Sequence, residues 1–399
     1  MSPTPYIMEK DRVLVIPGWY PSSLEPHNGD FVQEQVAILR RAGLKIDMIY
    51  SDLNIAYLKK GLRSRRSSVT AYASGDIDAV TSGPFWPKNQ SVGLQRWIKA
   101  SAVFIKEQLA TYRKDDLPKV IHAHTYLGGA VAQRVSEVFD IPYIVTEHYT
   151  GWLNGTIPSY HKKIGGTALQ SASVVTAVSP ALSEVLSKVS QREVRTLPNL
   201  IDTSIFTPSP SRSREVFRFI GAGDLIPRKN WEACIVAFSN LVKSYPSCEL
   251  IIAGDGGERS KLEKLVHDLN LEKKVSLPGH VNREGLVNLY KQSHVLLHTS
   301  HTETFGLTLA EAMSCGLPVI SYAHETAEYV ISNKSLGSVI ADNTPEALHR
   351  QMENILSNYD NYDASTIRKS AVERFGIENY KRALASIYSE AMQARKGYK

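Results

Sequence analysis

Cysteine is scarce in this chain of 399 residues: Cys234, Cys248 and Cys315 are an odd number, far apart, and each lies in or beside an apolar segment. Such a set suggests neither a disulfide framework nor a zinc knuckle, and it fits a reduced cytoplasm. Long apolar runs are missing as well. None reaches the roughly 18 residues of a membrane-crossing helix, and the polar stretch Met1 to Arg12 lacks the apolar centre and cleavage site of a signal peptide. Any meeting with a membrane is therefore expected from outside the bilayer, at its inner face. Excess charge is small: 46 Lys and Arg against 40 Asp and Glu give +6, which favours an anionic surface without calling for nucleic acid as a partner. Glycine fingerprints are absent too. The loop after the first strand has no G-x-G-x-x-G, Gly221-Ala-Gly223 lacks the third glycine of a nicotinamide site, and no G-x-x-x-x-G-K-S/T loop is present for ATP. Dehydrogenase and kinase readings are weak on that account.

What is present is an alternation of short β-branched runs with amphipathic segments, the pattern of α/β domains with parallel sheets covered on both faces. Strands are expected at Val13 to Ile16, Ile46 to Tyr50, Val120 to Ala123, Tyr143 to Thr146 and Val174 to Val178. A second series follows at Val216 to Gly221, Glu249 to Ala253, Lys274 to Leu277, Val295 to His298 and Pro318 to Ser321. Two Rossmann-like doubly wound domains result, over residues 1–202 and 203–375, with residues 376–399 as a C-terminal helix returning to the first. The proline-bounded segment Leu197 to Pro208 has the composition of a linker. Residues 51–95 break the rhythm. Lys59, Lys60, Arg63, Arg65 and Arg66, with Phe85, Trp86 and Trp97, read either as a solvated loop with a helix start near Gln90 or as peripheral contact of residues 59–97 with an anionic membrane.

The most informative stretch is Ser300 to Ile320, which leaves a strand, passes Gly306 and enters a helix at Leu307 or Thr308. A helix start exposes unpaired N–H groups at the positive end of the dipole, a setting for phosphate. Glu303 and Glu311 flank that start, and ionised carboxylates accept hydrogen bonds from sugar hydroxyls. Otherwise Glu311 is a dipole partner and Glu303 a loop residue. His122-Ala-His124 lies on a strand with both side chains on one face. It is a packed or hydrogen-bonded pair, or a metal site needing Glu147 or His148 as well, or part of an active site. Asp76-Ile-Asp78 spells D-x-D, but in an irregular stretch away from the other signals, and is taken as chance.

On these residues the chain resembles the large retaining glycosyltransferase group called family 4, of the GT-B fold. Glu303 and Glu311 match its E-x7-E signature, and Phe305-Gly306, Gly316-Leu-Pro-Val319, Pro198-Asn-Leu-Ile-Asp202, Ala253-Gly-Asp-Gly256 and Leu277-Pro-Gly-His-Val281 are similar to its other motifs. The resemblance implies two α/β domains facing each other across a cleft, the first on the acceptor side and the second binding a nucleotide-sugar. It implies diphosphate contact by the amides of Gly306, Leu307 and Thr308, with Phe305 beside them. Glu311 would meet the ribose, Glu303 the donor sugar, Val281 the base, and Lys229 the departing diphosphate. Asp224 stands where many members carry arginine, so Arg228 is a substitute for the clamp. Gly29 would let backbone approach the phosphates, and His124 would sit near donor sugar and acceptor hydroxyl. His148 and Trp152 would line the acceptor side, Trp152 as a stacking face.

The expected reaction is transfer of a hexose from a UDP- or GDP-linked donor to a hydroxyl acceptor, a glycan or lipid-linked glycan, with retained configuration and no metal or other cofactor. The alternatives are a sugar-nucleotide epimerase or hydrolase on the same frame, a metal-dependent hydrolase centred on His122 and His124, and a non-catalytic sugar-nucleotide binder.

Overall fold

The computed structural model describes residues 11–21, 29–52, 79–82, 90–211, 213 and 215–396. They form two compact units, Met1–Pro198 with Tyr380–Lys399, and Asn199–Asn379. The breaks fall after Pro198 rather than Asp202 and after Asn379 rather than Phe375.

Unit 1 runs β1 (Val13–Pro17), α1 (Asp30–Arg41), β2 (Ile46–Asp52), β3 (Ala79–Ser82), α2 (Gln90–Leu109), β4 (Val120–His124), α3 (Thr125–Phe139), β5 (Tyr143–Glu147), α4 (Ser159–Ser171), β6 (Val174–Ala177), α5 (Pro180–Ser190) and β7 (Arg195–Thr196). Its seven strands lie in the order β3-β2-β1-β4-β5-β6-β7 and every pair is parallel. Buried on both faces, β1, β4, β5 and β6 have no exposed residue, as parallel strands under helices require.

Unit 2 runs β8 (Phe217–Ala222), α6 (Trp231–Ser244), β9 (Cys248–Ala253), α7 (Arg259–Asp268), β10 (Val275–Gly279), α8 (Arg283–Gln292), β11 (Val295–His298), α9 (Leu307–Ser314), β12 (Val319–Tyr322), α10 (Ala327–Val330), β13 (Gly337–Ile340), α11 (Pro345–Ser357), α12 (Ala364–Phe375) and α13 (Ile377–Lys396), of which α13 ends in unit 1. The order β10-β9-β8-β11-β12-β13, again parallel, repeats that of unit 1. Phe219, Leu250, Leu297 and Ile320 centre the core against Trp231 and Phe238 of α6. Each sheet reverses its strand order once, between β1 and β4 and between β8 and β11. The strand ends there are where open α/β sheets present their ligand sites.

Three sequence expectations need correction. The short strands β3, β7 and β13 were not anticipated, because edge strands carry no continuous apolar run; β13 is half-exposed over three of its four residues. From Asn199 onward the segment read as a linker is packed: Leu200, Ile201 and Phe206 are buried, and the Arg368 guanidinium donates to the carbonyls of Thr203 (2.9 Å), Phe206 (2.6 Å) and Ser314 (2.6 Å). Trp97 does not reach a membrane surface either. It is 2% exposed, and its indole N–H donates to the Ser51 carbonyl at 3.1 Å, so α2 holds it in the core. Lys59, Lys60, Arg63, Arg65, Arg66, Phe85, Trp86, Asp76 and Asp78 lie outside the described residues. Among the described residues no helix is long and apolar enough to cross a membrane.

Candidate functional site

In unit 2 the chain leaving β8 turns at Gly223, whose Cβ, if present, would lie 3.2 Å from Lys229 Cε. The missing side chain makes room for the lysine stem. A 3-10 turn, Pro227–Lys229, then ends in left-handed Asn230 at the start of α6. This turn is laced to the loop after β11: the His301 amide donates to the Arg228 carbonyl (3.0 Å), and the Thr299 hydroxyl to the Lys229 carbonyl (2.8 Å). Arg228 closes the seam by donating to the Thr302 carbonyl at 2.8 Å.

Held this way, two cations meet one carboxylate. Glu303 Oε1 lies 2.6 Å from Lys229 Nζ and 3.1 Å from Arg228 Nη1, with Glu303 and Lys229 side chains only 11% and 12% exposed. Burial pushes the Glu303 carboxyl up, but the Lys229 ammonium and the Arg228 guanidinium outweigh it and hold the group well below the usual carboxylate range. Behind the pair stands His298, fully buried at the end of β11, its Nε2 3.7 Å from the same carboxylate oxygen. Burial pushes His298 down to about 3 and His324, on the loop after β12, to about 4. Both are neutral near pH 7.

Three residues after Glu303 comes the entrance to α9. Gly306 takes φ 84° and ψ 62° and precedes α9 with no side-chain cap, so the first amides of the helix, those of the half-buried Leu307 and Thr308, have no side chain turned onto them. Phe305 differs from expectation: its ring is buried edge-on against Phe375 (5.2 Å between centroids), so it anchors the loop and offers a ligand no face. Glu311, buried one turn into α9, has Arg283 at 4.0 Å and the buried Tyr290 as neighbours, whereas Glu303 has Lys229 and Arg228. Val281 is half-buried on the loop after β10. That loop and its neighbours are joined by backbone bonds, Gly254 N–H to the Gly279 carbonyl (2.9 Å) and Gly223 N–H to the Ala253 carbonyl (3.0 Å).

Unit 1 gathers a different set at the ends of β4 and β5. His122 and His124 stack at 4.4 Å. His122 uses both ring nitrogens, Nδ1 with the Tyr388 hydroxyl (2.9 Å) and Nε2 with that of Thr146 (2.7 Å), which leaves it no lone pair for a metal. His124 Nδ1 meets His148 Nε2 at 2.9 Å, while its Nε2 is buried without a partner. Burial pushes His124 down to about 3. Glu147 is fully buried, and its oxygens accept the amides of Tyr126 (2.7 Å), His148 (2.8 Å) and Tyr149 (2.9 Å). It thereby serves as the N-terminal acceptor of α3, whose first residue, Thr125, is strained at φ 64°. Burial, only partly offset by those amides, pushes Glu147 up to about 7.

Gly29 is demanded by geometry: φ is 79°, and a Cβ would lie 2.4 Å from the Trp19 carbonyl oxygen. The expectation for Trp152 is corrected. At 4% exposure, with its ring at right angles to Tyr126 and packed over Gly165, it is a support for Tyr126 and not a platform for a sugar. Sequence reasoning missed His298, His324 and Thr326; a histidine closing an apolar strand, as His298 does, was the available signal. Among the described residues no group of three or more His, Cys, Asp and Glu is placed to hold a metal ion.

Two parallel doubly wound sheets of matching strand order, each with polar residues at its switch point, define a GT-B protein. The fold is matched over 96% of this chain and all of sucrose-phosphate synthase from Thermosynechococcus elongatus (TM-score 0.76, 20% identity). HepE of Anabaena, solved in complex with UDP, matches over 95% of this chain and 99% of its own (TM-score 0.72, 18% identity). Residues 31–205 match the model of Glycosyltransferase Family 4 and residues 208–372 that of Glycosyl transferases group 1. The chain belongs to this family and is a glycosyltransferase. A Bacillus subtilis relative ascribed to teichuronic acid biosynthesis, TuaC, is 27% identical over 77% of this chain and 80% of its own.

Proposed function

We propose that the protein moves a hexose from a UDP- or GDP-linked donor to a hydroxyl of a glycan, one carried on a lipid or growing as a surface polysaccharide, with retention at the anomeric carbon. The observation that carries this reading is the convergence of Lys229 and Arg228 on Glu303 beside the uncapped start of α9. A diphosphate needs cations and free amides, and a hexose needs a carboxylate acceptor; unit 2 has all three at one switch point. HepE, of the same fold, has been solved with UDP-glucose, and TuaC is ascribed to a polysaccharide pathway.

In the proposed reaction the sugar–phosphate bond breaks as the acceptor oxygen bonds the anomeric carbon on the same face, and the acceptor proton passes to the leaving phosphate oxygen. Lys229, with Arg228 taking the part of the arginine that Asp224 replaces, stabilises the departing charge, so the step asks for no metal. Glu147 supports the absence of a covalent intermediate: both its oxygens are engaged by amides. His124 offers its unpartnered Nε2 on the acceptor side.

The test is a screen of UDP- and GDP-hexoses by thermal shift, followed by NMR of the product's anomeric configuration. A true donor at a hundred times its dissociation constant adds about 2.7 kcal/mol of stability. No shift with any of them, or an inverted product, would overturn the reading.

A further inference from the structure

Resting on the donor role proposed for Glu303, we infer that His324, Ser321 and His298 form a directed hydrogen-bond chain that holds the Glu303 carboxylate when Lys229 is drawn away to the donor phosphate, which makes His298 a positioning residue of the transferase.

The chain can be followed from an unambiguous donor. The backbone N–H of Thr326 points to His324 Nδ1 at 3.4 Å, so that nitrogen accepts. A neutral His324 then carries its proton on Nε2, which lies 3.3 Å from Ser321 Oγ. Ser321 Oγ in turn lies 3.3 Å from His298 Nδ1, and His298 Nε2 faces Glu303 Oε1. The Thr326 hydroxyl sits among three acceptors, His324 Nδ1 (3.3 Å), the Glu303 carbonyl (3.4 Å) and the Phe305 carbonyl (3.5 Å), so it neighbours the backbone of the same glutamate.

One node has a choice. The single Ser321 hydroxyl proton is within reach of the Tyr322 carbonyl (2.8 Å) as well as His298 Nδ1. If it goes to the carbonyl, His298 donates from Nδ1 and turns an Nε2 lone pair onto an anionic carboxylate. If it goes to His298, an Nε2–H points at Glu303. The carboxylate decides for the second arrangement. It also explains why a fully buried ring nitrogen lacks a hydrogen-bond partner: Lys229 occupies the same oxygen at 2.6 Å while the histidine waits at 3.7 Å. Once the ammonium leaves, a shift of about 0.5 Å brings Nε2–H into bonding range. Glu303, Lys229 and Arg228 in front and His324 behind are the charged and titratable groups around His298; burial above all, with the two cations, opposes its protonation and outweighs the pull of the Glu303 carboxylate.

The first test needs no turnover. Long-range proton–nitrogen NMR on protein labelled in histidine, at pH 7, should show His298 and His324 neutral and protonated on Nε2; an Nδ1-protonated or charged His298 overturns the chain. The second uses the nucleotide-sugar found in the screen above. His298→Asn keeps a group near Ser321 but none facing Glu303, and should lower kcat about tenfold to a hundredfold. The acid limb of its kcat profile should rise by about one pH unit, because a carboxylate that loses a donor protonates sooner. Binding of free UDP or GDP should stay unchanged, and His298→Gln, which keeps a nitrogen towards Glu303, should recover part of the rate. Equal loss of nucleotide binding and thermal stability would mean packing alone and sink the proposal. Glu303→Gln separates the two levels: if it stays active, the donor role of Glu303 fails and takes the chain with it, whereas an inactive Glu303→Gln beside a normal His298→Asn sinks the chain alone.

Discussion

At the β8/β11 switch point of unit 2 charge is gathered, with Lys229 and Arg228 on one Glu303 oxygen; at the β1/β4 switch point of unit 1 charge is kept out, with His122, His124 and His148 stacked and Glu147 covered by three amides. The sheets have the same strand order, so the difference lies in the loops. One strand-end cluster gathers two cations on a carboxylate, which on the reading proposed above suits an anionic guest, and the other is a buried cluster of neutral hydrogen-bonding rings. A transferase needs both, since a leaving group departs as an anion while an acceptor arrives as a neutral hydroxyl.

The largest effect should come from removing charge where it is gathered. Lys229→Met is expected to cost about 10²–10³ in kcat, measured on the donor identified by the screen. Arg228 still pairs Glu303 at 3.1 Å, so the urea midpoint should fall far less than the rate does; a variant that keeps wild-type turnover would erase the contrast between the units.

A second comparison concerns two glycines that cap helices in the left-handed region. Gly29→Ala should destabilise by about 3 kcal/mol and Gly306→Ala by about 1–2 kcal/mol, both read from urea melts. Both pay for positive φ, but the new Cβ at 29 meets the Trp19 carbonyl at 2.4 Å, whereas at 306 it meets the movable end of Leu309 at 2.9 Å.

Acidification should then tell the units apart. The folded-state values of His298 and His324 are depressed, to about 3 and about 4, so the stability they contribute is lost as pH falls below the ordinary 6.5. His122, His124 and, less buried, His161 in unit 1 behave likewise, but Glu147, raised to about 7, has the opposite sign and offsets them: its contribution is full below the unfolded value of 4.5 and disappears as pH rises through 7. Between pH 7 and 5, hydrogen exchange should show unit 2 losing protection more steeply than unit 1. In Glu147→Gln the slope of unit 1 should steepen towards that of unit 2, and an unchanged slope would remove Glu147 from the account.

The smallest effect is expected at Asp224, exposed in the turn before Lys229. Asp224→Arg should change stability by less than about 0.5 kcal/mol yet raise the thermal shift given by UDP or GDP, because it adds a third cation; an unaltered shift would show the turn already saturated.

Much of this was legible from residue order. Continuous apolar strands such as Val295–His298 fall where periodicity placed them. Lys229, Glu303 and Gly306 are local to recognisable loops, and these loops do come together. Trp152, Trp97 and Phe305 were misjudged for one reason: an aromatic side chain reads the same whether it supports or contacts, and only the packing around it tells which. The segment from Asn199 looked loose because proline marks turns, while the Arg368 side chain that pins it lies far along the chain.

The sequence by itself determined that two parallel α/β sheets would form and which turns would end at their switch points, because strand burial, helix periodicity and positive-φ glycines are local properties. The tertiary structure alone decided that Lys229 and Glu303 pair, 74 positions apart, that His298 and His324 line up behind them, and that Glu147 caps a helix it does not belong to. Those are meetings of side chains across a sheet, and burial fixes both their partners and their charge.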